Sequence, residues 1–270
     1  MFEQKELQSL NDYFLNLNSR NGKFVYFTRI NGYNSEVGEF IRRYYDAARR
    51  SGVVSEGRIP NPDEKNLAYY GEIMGMDFRM EPAFLSASLQ KWLPRMNDYQ
   101  RQNVAAAIFD TLDTMRREGK NDNMLRNAYI KFMCWLYYKF ERIVSQLGEG
   151  NIPKILYEGE ISNYELKLMA VLSHAGCDIV LLQYHGDAGY QRLDPRSQIS
   201  REYQAGGLAA FPEGFCLKQV RGQLEQEMNR ERLYGRRPEA AACTNAWIEG
   251  KGLEDILQDI QTRGEDPKLF

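Results

Sequence analysis

Two short polar stretches hold the residue types that do chemistry. Tyr157 to Asn163, YEGEISN, sets two carboxylates, a hydroxyl and an amide at the end of an apolar run, and His185-Gly186-Asp187 sets an imidazole beside a carboxylate after another such run. Arg29 stands in FVYFTRINGY, and Glu56 and Arg58 stand in SEGRIPNP. The carboxylates of Glu158 and Glu160 accept protons from hydroxyls or amines, as a sugar, a ribose or an amine ligand offers them. They repel phosphate, and the stretch has neither the GxGxxG of a dinucleotide loop nor the GxxxxGK[ST] of a phosphate loop. Arg29 would supply the cation that this acidic elbow lacks. His185 with Asp187 has the types for acid–base work or for orienting a ligand. Each residue also has an ordinary explanation. Ser162 and Glu165 make a helix capping box, a lone histidine is a structural residue, and an arginine pairs with a neighbouring carboxylate.

The elements around these residues decide whether they meet. From Ile152 to Tyr184 the chain reads as strand, helix and strand. Ile155 and Leu156 lead to Glu158-Gly159, Ser162 caps a helix that runs to Gly176, and Ile179 to Leu182 is a continuous apolar run suited to a strand buried on both faces. Two such strands joined by a helix imply a parallel sheet whose ligand crevice lies beyond the strands' carboxyl ends, at Glu158, Gly159, Ser162 and Asn163 and at His185 to Asp187. A second unit lies near the amino terminus: a strand over Lys23–Ile30, a turn at Asn31-Gly32, and a helix capped by Ser35 with Val37, Phe40, Ile41, Tyr44 and Tyr45 on one face. If both units share one sheet and one direction, Arg29 faces the same crevice.

Elsewhere Met1–Asn18 reads as an amphipathic helix, Val53–Pro62 as a turn, and the stretch from Asn61 or Asp63 to about Gly75 as helix. Pro82–Leu147 is nearly all helix, broken near Met96 and Lys120, with an aromatic stripe that belongs to a core. After Tyr184 the chain is rich in loops, where Asp194, Arg196, Ser200 and Arg201 are further candidates. Phe215–Tyr234 and Leu253–Thr262 return to helix. The expected fold is α/β, a Rossmann-like parallel sheet core with a large helical insertion. Residues 1–76 and 148–270 form the core parts and 77–147 the insertion.

Composition narrows the function. The 270 residues are 43% hydrophobic and 27% charged, with 35 basic against 37 acidic residues, so no global charge draws the chain to nucleic acid or an anionic membrane. Arg221, Arg230, Arg232, Arg236 and Arg237 alternate with glutamates, as on a solvated helix face. No apolar run nears the roughly 20 residues of a membrane helix, and the amino terminus lacks a signal peptide's apolar segment, so the cytoplasm is the expected location. Cys134, Cys177, Cys216 and Cys243 are far apart, with no CxxC pair, so no metal is expected and the thiols read as small hydrophobes. His174, inside a helix, reads the same way.

FVYFTRINGY, EGRIPNP and, most firmly, IPKILYEGEISNYELKLMAVLSHAGCDIVLL together resemble the bacterial YceG-like family, described as a component of a biosynthetic module that travels with tellurite-resistance and Ter-type stress genes. The resemblance covers most of the chain. It implies a stress-linked biosynthetic pathway and carries over no catalytic residue and no cofactor. Members of the family are longer, with a second strand segment after a TNAWIEGKG-like stretch, so the resemblance also implies an amino-terminal half. Two functions stay open. One is an enzyme subunit that binds a nucleotide- or sugar-like metabolite among Arg29, Glu56, Arg58, Glu158, Gly159, Ser162, Asn163, His185 and Asp187, with group transfer of the glycosyltransferase kind as its concrete version. The other is a non-catalytic assembly protein whose helical block docks the partners of a stress-response complex.

Overall fold

A computed structural model describes residues 1–20, 22–62, 67–148, 150 and 152–234. The expected Leu253–Thr262 helix, Cys243, Arg236, Arg237 and the TNAWIEGKG stretch lie outside the described residues. The described residues form seven strands: β1 Glu3–Gln4, β2 Phe24–Val25, β3 Phe27–Ile30, β4 Val53–Glu56, β5 Lys154–Glu158, β6 Asp178–Leu182 and β7 Arg201–Glu202. The first two pair with each other, and the other five form one wholly parallel sheet in the order β4-β5-β6-β3-β7. Phe27 aligns with Ile179 and Ile30 with Leu182, while Lys154 aligns with Asp178 and Glu158 with Leu182. The two strand–helix units therefore share a sheet and a direction, and the core is Rossmann-like α/β. Every residue of β3, β5 and β6 is buried. That explains their unbroken apolar runs, because helices cover both faces.

Helix α1, Ser35–Ser51, follows β3 and carries the chain across β6 and β5 to β4 at the sheet's edge. The return from β4 to β5 runs the other way. Parallel crossovers are right-handed, so connections running in opposite directions place their helices on opposite faces. Accordingly α1 buries Val37, Phe40, Ile41 and Tyr44 on one face. The other receives a helical block of α2 Leu67–Met74, α3 Pro82–Trp92, α4 Asp98–Arg117, α5 Asp122–Trp135, a π-helical turn at Leu136–Phe140, and α6 Glu141–Val144. Helix α7, Asn163–Ala175, lies between β5 and β6 on that same face. One core joins Phe27, Ile155, Tyr157, Ile179 and Leu181 of the sheet to Leu168 and Leu172 of α7 and to the aliphatic faces of α4 and α5. Then come a short α8, Ala188–Gln191, and α9, Leu217–Tyr234. The compact unit Met1–Val220 holds the whole sheet, and a second unit begins at Arg221.

A buried ion network closes the amino ends of the strands. Asp178 has a fully buried side chain and accepts from both terminal nitrogens of Arg20, at 2.9 and 2.6 Å, and from Tyr26 N at 3.0 Å. Lys154 Nζ lies 3.7 Å from the same carboxylate, and the Tyr44 hydroxyl donates to Asp178 O at 3.0 Å.

Three expectations change. Met1–Asn18 is no amphipathic helix: it is β1 followed by 3-10 turns at Leu10–Phe14 and Leu17–Ser19. Ser9, Asp12 and Asn16 turn their side chains onto nearby amides, and that local competition breaks the periodic pattern although Leu10 and Tyr13 are buried as the pattern required. The cap of α1 is Asn34, whose side chain accepts from Val37 N at 2.8 Å, one residue before the expected Ser35. The Val53–Pro62 turn begins as β4, a four-residue edge strand.

Candidate functional site

All five parallel strands end at one edge of the sheet. The chain leaves β3 toward β4 and leaves β6 in the opposite direction toward β7, so the carboxyl ends of these neighbours, still joined by Gln183 N donating to Ile30 O at 2.9 Å, are the switch point at which an open parallel sheet would place a ligand crevice. Glu158, the last residue of β5, is 8% exposed. One of its oxygens accepts from the Tyr184 hydroxyl at 2.6 Å and from Leu217 N at 2.8 Å. Burial, and then the Glu158 carboxylate, push the Tyr184 phenol far above its ordinary range, so it remains a donor. Gly159 follows at φ +89°, the left-handed conformation that glycine adopts without cost, and its carbonyl accepts from Gln183 Nε2 at 3.2 Å.

This crevice is roofed by the chain itself. Residues 203–217 form a strap across the carboxyl edge. Tyr33 and Ala209 exchange both backbone hydrogen bonds, at 2.7 and 3.0 Å, and Tyr203 N donates to Arg29 O at 2.8 Å. The rings of Phe211 and Phe215 pack on each other and on Tyr33 and Tyr184, with centroids 4.9 to 5.6 Å apart. A Cβ at Gly32 would stand 3.0 Å from both Ala209 O and Leu208 Cβ, so any larger residue there would press the strap outward by a few tenths of an ångström. Leu217 opens α9, and Glu158 therefore places its carboxylate on the first amide of a helix amino terminus, a position an anionic ligand would take. Glu158→Gln is expected to cost about 1–3 kcal/mol and to speed amide exchange at Leu217. Unchanged exchange there would show that the rings alone hold the strap.

Arg29 turns away from this crevice. It is 2% exposed and donates to Asp187 at 2.8 Å, to Ser200 O at 2.7 Å and to Ser197 Oγ at 2.8 Å, with its guanidinium 4.6 Å from the Tyr190 ring centre. Arg29 and Asp187 are thus brought together as a buried pair that fixes the loop from Asp187 to Glu202. Arg29 is not brought to Glu158: β6 lies between their strands, a separation of about 10 Å. Ser162 accepts from Glu165 N as the cap of α7, and Glu165 returns to Ser162 N at 2.8 Å. The same carboxylate accepts from Ile59 N at 2.6 Å and from the Tyr157 hydroxyl at 3.1 Å, pinning the loop that carries Arg58. Asn163, His185, Glu56 and Arg58 are exposed, with Glu56 beside Glu158 in the strand register. The sequence reading missed the strap. Its signal is the pair of phenylalanines in FPEGF, bracketing a proline and a glycine.

Two open depressions lie elsewhere on the same unit. A groove of about 460 Å³ takes in His174, Asp194 and Arg196, and a polar cleft of about 610 Å³ along β7 takes in Arg29 and Arg201. Among the described residues no group of His, Cys, Asp and Glu is placed to hold a metal ion, and no helix is long and apolar enough to cross a membrane.

The sequence model of one protein family, the YceG domain, matches residues 5–219. No curated protein and no solved structure matches the chain.

Proposed function

The chain belongs to the YceG-domain family, and from that footing we propose that it is a cytoplasmic, metabolite-binding subunit of a stress-linked biosynthetic pathway associated with tellurite resistance, taking a nucleotide- or sugar-like ligand at the carboxyl edge of its sheet. The observation that supports this reading is the reversal of chain direction after the neighbouring strands β3 and β6, a switch point beside which open parallel sheets bind such ligands. The chemistry lining that edge suits hydroxyls: the carboxylates of Glu158 and Glu202, the amide of Asn31 that donates to Glu202 at 2.9 Å, and the amide of Gln183. In a group-transfer reaction of the glycosyltransferase kind, Glu158 is the group suited to take a proton from an attacking hydroxyl. It reaches a ligand only when the strap lifts and releases it from Leu217 N. His185, exposed on the turn after β6, stands at the rim.

A non-catalytic assembly protein is the second reading, and the strap favours it, since Phe211 and Phe215 fill the place a ligand would take. One experiment separates the two. Nucleotides, nucleotide sugars and phosphosugars are screened by thermal shift while Cys216, next to Leu217, is labelled with a thiol reagent. Cys134 and Cys177 are silent in such labelling, because burial pushes the Cys134 thiol up to about 12 and raises that of Cys177 further. Replacing Cys243 with Ser removes the remaining thiol. A ligand at about a hundred times its dissociation constant should stabilise the protein by roughly 2.7 kcal/mol and accelerate Cys216 labelling, and a folded Glu158→Ala, His185→Ala variant should lose both effects. No shift with any ligand and steady labelling would leave the assembly reading standing.

A further inference from the structure

The groove of about 460 Å³ lies between α4, α7 and the loop from Leu193 to Ile199, and no strap residue lines it. Its walls are fixed. Helices α4 and α7 run antiparallel, tied at one end where Asn103 donates to Ala175 O at 2.6 Å and at the other where Lys167 reaches Glu118 at 3.0 Å. The loop wall is stapled by Asp194, which accepts from Gln198 N at 2.9 Å, Ile199 N at 2.8 Å and the Tyr190 hydroxyl at 3.0 Å. Lys167, Ala170 and His174 fall on one side of α7 at helical spacing, giving a floor about 10 Å long.

The charges decide what fits. Lys167 is 7% exposed and satisfied by Glu118. That leaves two cations, Arg196 on the loop and the amino-terminal ammonium of Met1, and one anion on α4, Asp110. Arg196 and Asp110 line the groove from its two walls, both are exposed, and among the described residues neither makes an ion pair. A simple anion would meet Asp110 and Glu118 there, and a simple amine would meet Arg196 and Lys167. A ligand carrying both charges satisfies both walls and avoids both repulsions. We propose that this groove binds a small zwitterionic metabolite, of amino-acid to dipeptide size, with its carboxylate on Arg196 and its ammonium on Asp110. The volume falls within the range of about 300–1,000 Å³ typical of small-molecule sites, and Leu193 and Ile199 give the ligand's side chain an apolar wall. This groove is separate from the carboxyl edge under the strap.

The test is calorimetry on the full chain with the proteinogenic amino acids and a dipeptide panel, each beside its N-acetylated and C-amidated form. At least one free zwitterion should bind, and blocking either terminus should weaken it about ten-fold or more. Arg196→Glu should reproduce the loss seen on amidation, and Asp110→Lys the loss seen on acetylation, with melting temperatures unchanged because both side chains are exposed. Glu158→Gln, which acts at the crevice, should leave this binding intact. No binding by any zwitterion at millimolar concentration would overturn the proposal. So would binding that survives both blocked analogues and both charge reversals.

Discussion

Alkali is expected to unfold this protein in one steep step above pH 10. Tyr13, Tyr44, Tyr69, Tyr157 and Tyr190 are each less than a tenth exposed, and burial is the main cause that raises every one of these phenols above its ordinary range. In the unfolded chain a tyrosine titrates near about 10. Below that pH the phenols are protonated in both states and make no difference to stability. Above it the unfolded chain sheds protons that the folded chain keeps, so stability falls as pH rises. Each group contributes about 1.4 kcal/mol per pH unit, and five together about 7 kcal/mol one unit above the ordinary value. Domains of this size are stable by only about 5–15 kcal/mol. Phenolate absorbance and far-ultraviolet dichroism should therefore change together over a narrow interval. A gradual rise in phenolate with the dichroism intact would mean that the buried phenols ionise in the folded state, against this expectation.

Asp178→Ala should be the most damaging single substitution at the amino edge of the sheet. The carboxylate compensates Arg20 directly, lies beside Lys154 and holds Tyr26 N, all where water does not reach. Burial already holds the Lys154 amine below its usual value, with Asp178 the opposing influence. Removing one partner of a buried pair leaves the other as an uncompensated charge, at a cost of about 3–5 kcal/mol. The double variant Asp178→Leu, Arg20→Met removes both charges and should recover much of the loss. Urea unfolding measures each variant. A single-variant loss under about 1 kcal/mol would show that water reaches Arg20 and that the network is not buried in solution.

The strand–helix–strand of Lys154 to Leu182 was legible because its signals are local and agree with one another. Ser162 with Glu165 is a capping box, Gly176 ends the helix, and Ile179 to Leu182 are apolar on both faces because the strand is central. The helical breaks near Met96 and Lys120 were legible for the same reason, since Asn97 and Asn121 cap the next helices. What was hidden is non-local. β4 is a short edge strand whose identity comes from pairing with β5, and β7 is two residues laid beside β3. The 3-10 turns of the amino terminus carry the same buried positions as a helix, so periodicity could not tell them apart. At the carboxyl edge the sequence placed Glu158, Gly159 and His185 at strand ends. Which groups Glu158 and Arg29 hold depends on Tyr184, Leu217, Asp187 and Ser197, residues far away in the chain, and no spacing rule encodes those distances.

The strap has a consequence for how binding would be measured. With a ligand site at the carboxyl edge, as proposed, the strap is a tethered competitor: an occupant joined by covalent bonds to the site it fills has an effective concentration in the millimolar range, whatever its intrinsic grip. An outside ligand binds only the fraction of molecules whose strap has lifted. If that fraction is about one in a hundred, a ligand with an intrinsic dissociation constant of about 1 μM presents itself at about 100 μM. Weak apparent affinity at this edge would then report the closed population rather than a poor fit. Any change that loosens Phe211, Phe215 or the Glu158 contact to Leu217 would make every true ligand look tighter by the same factor.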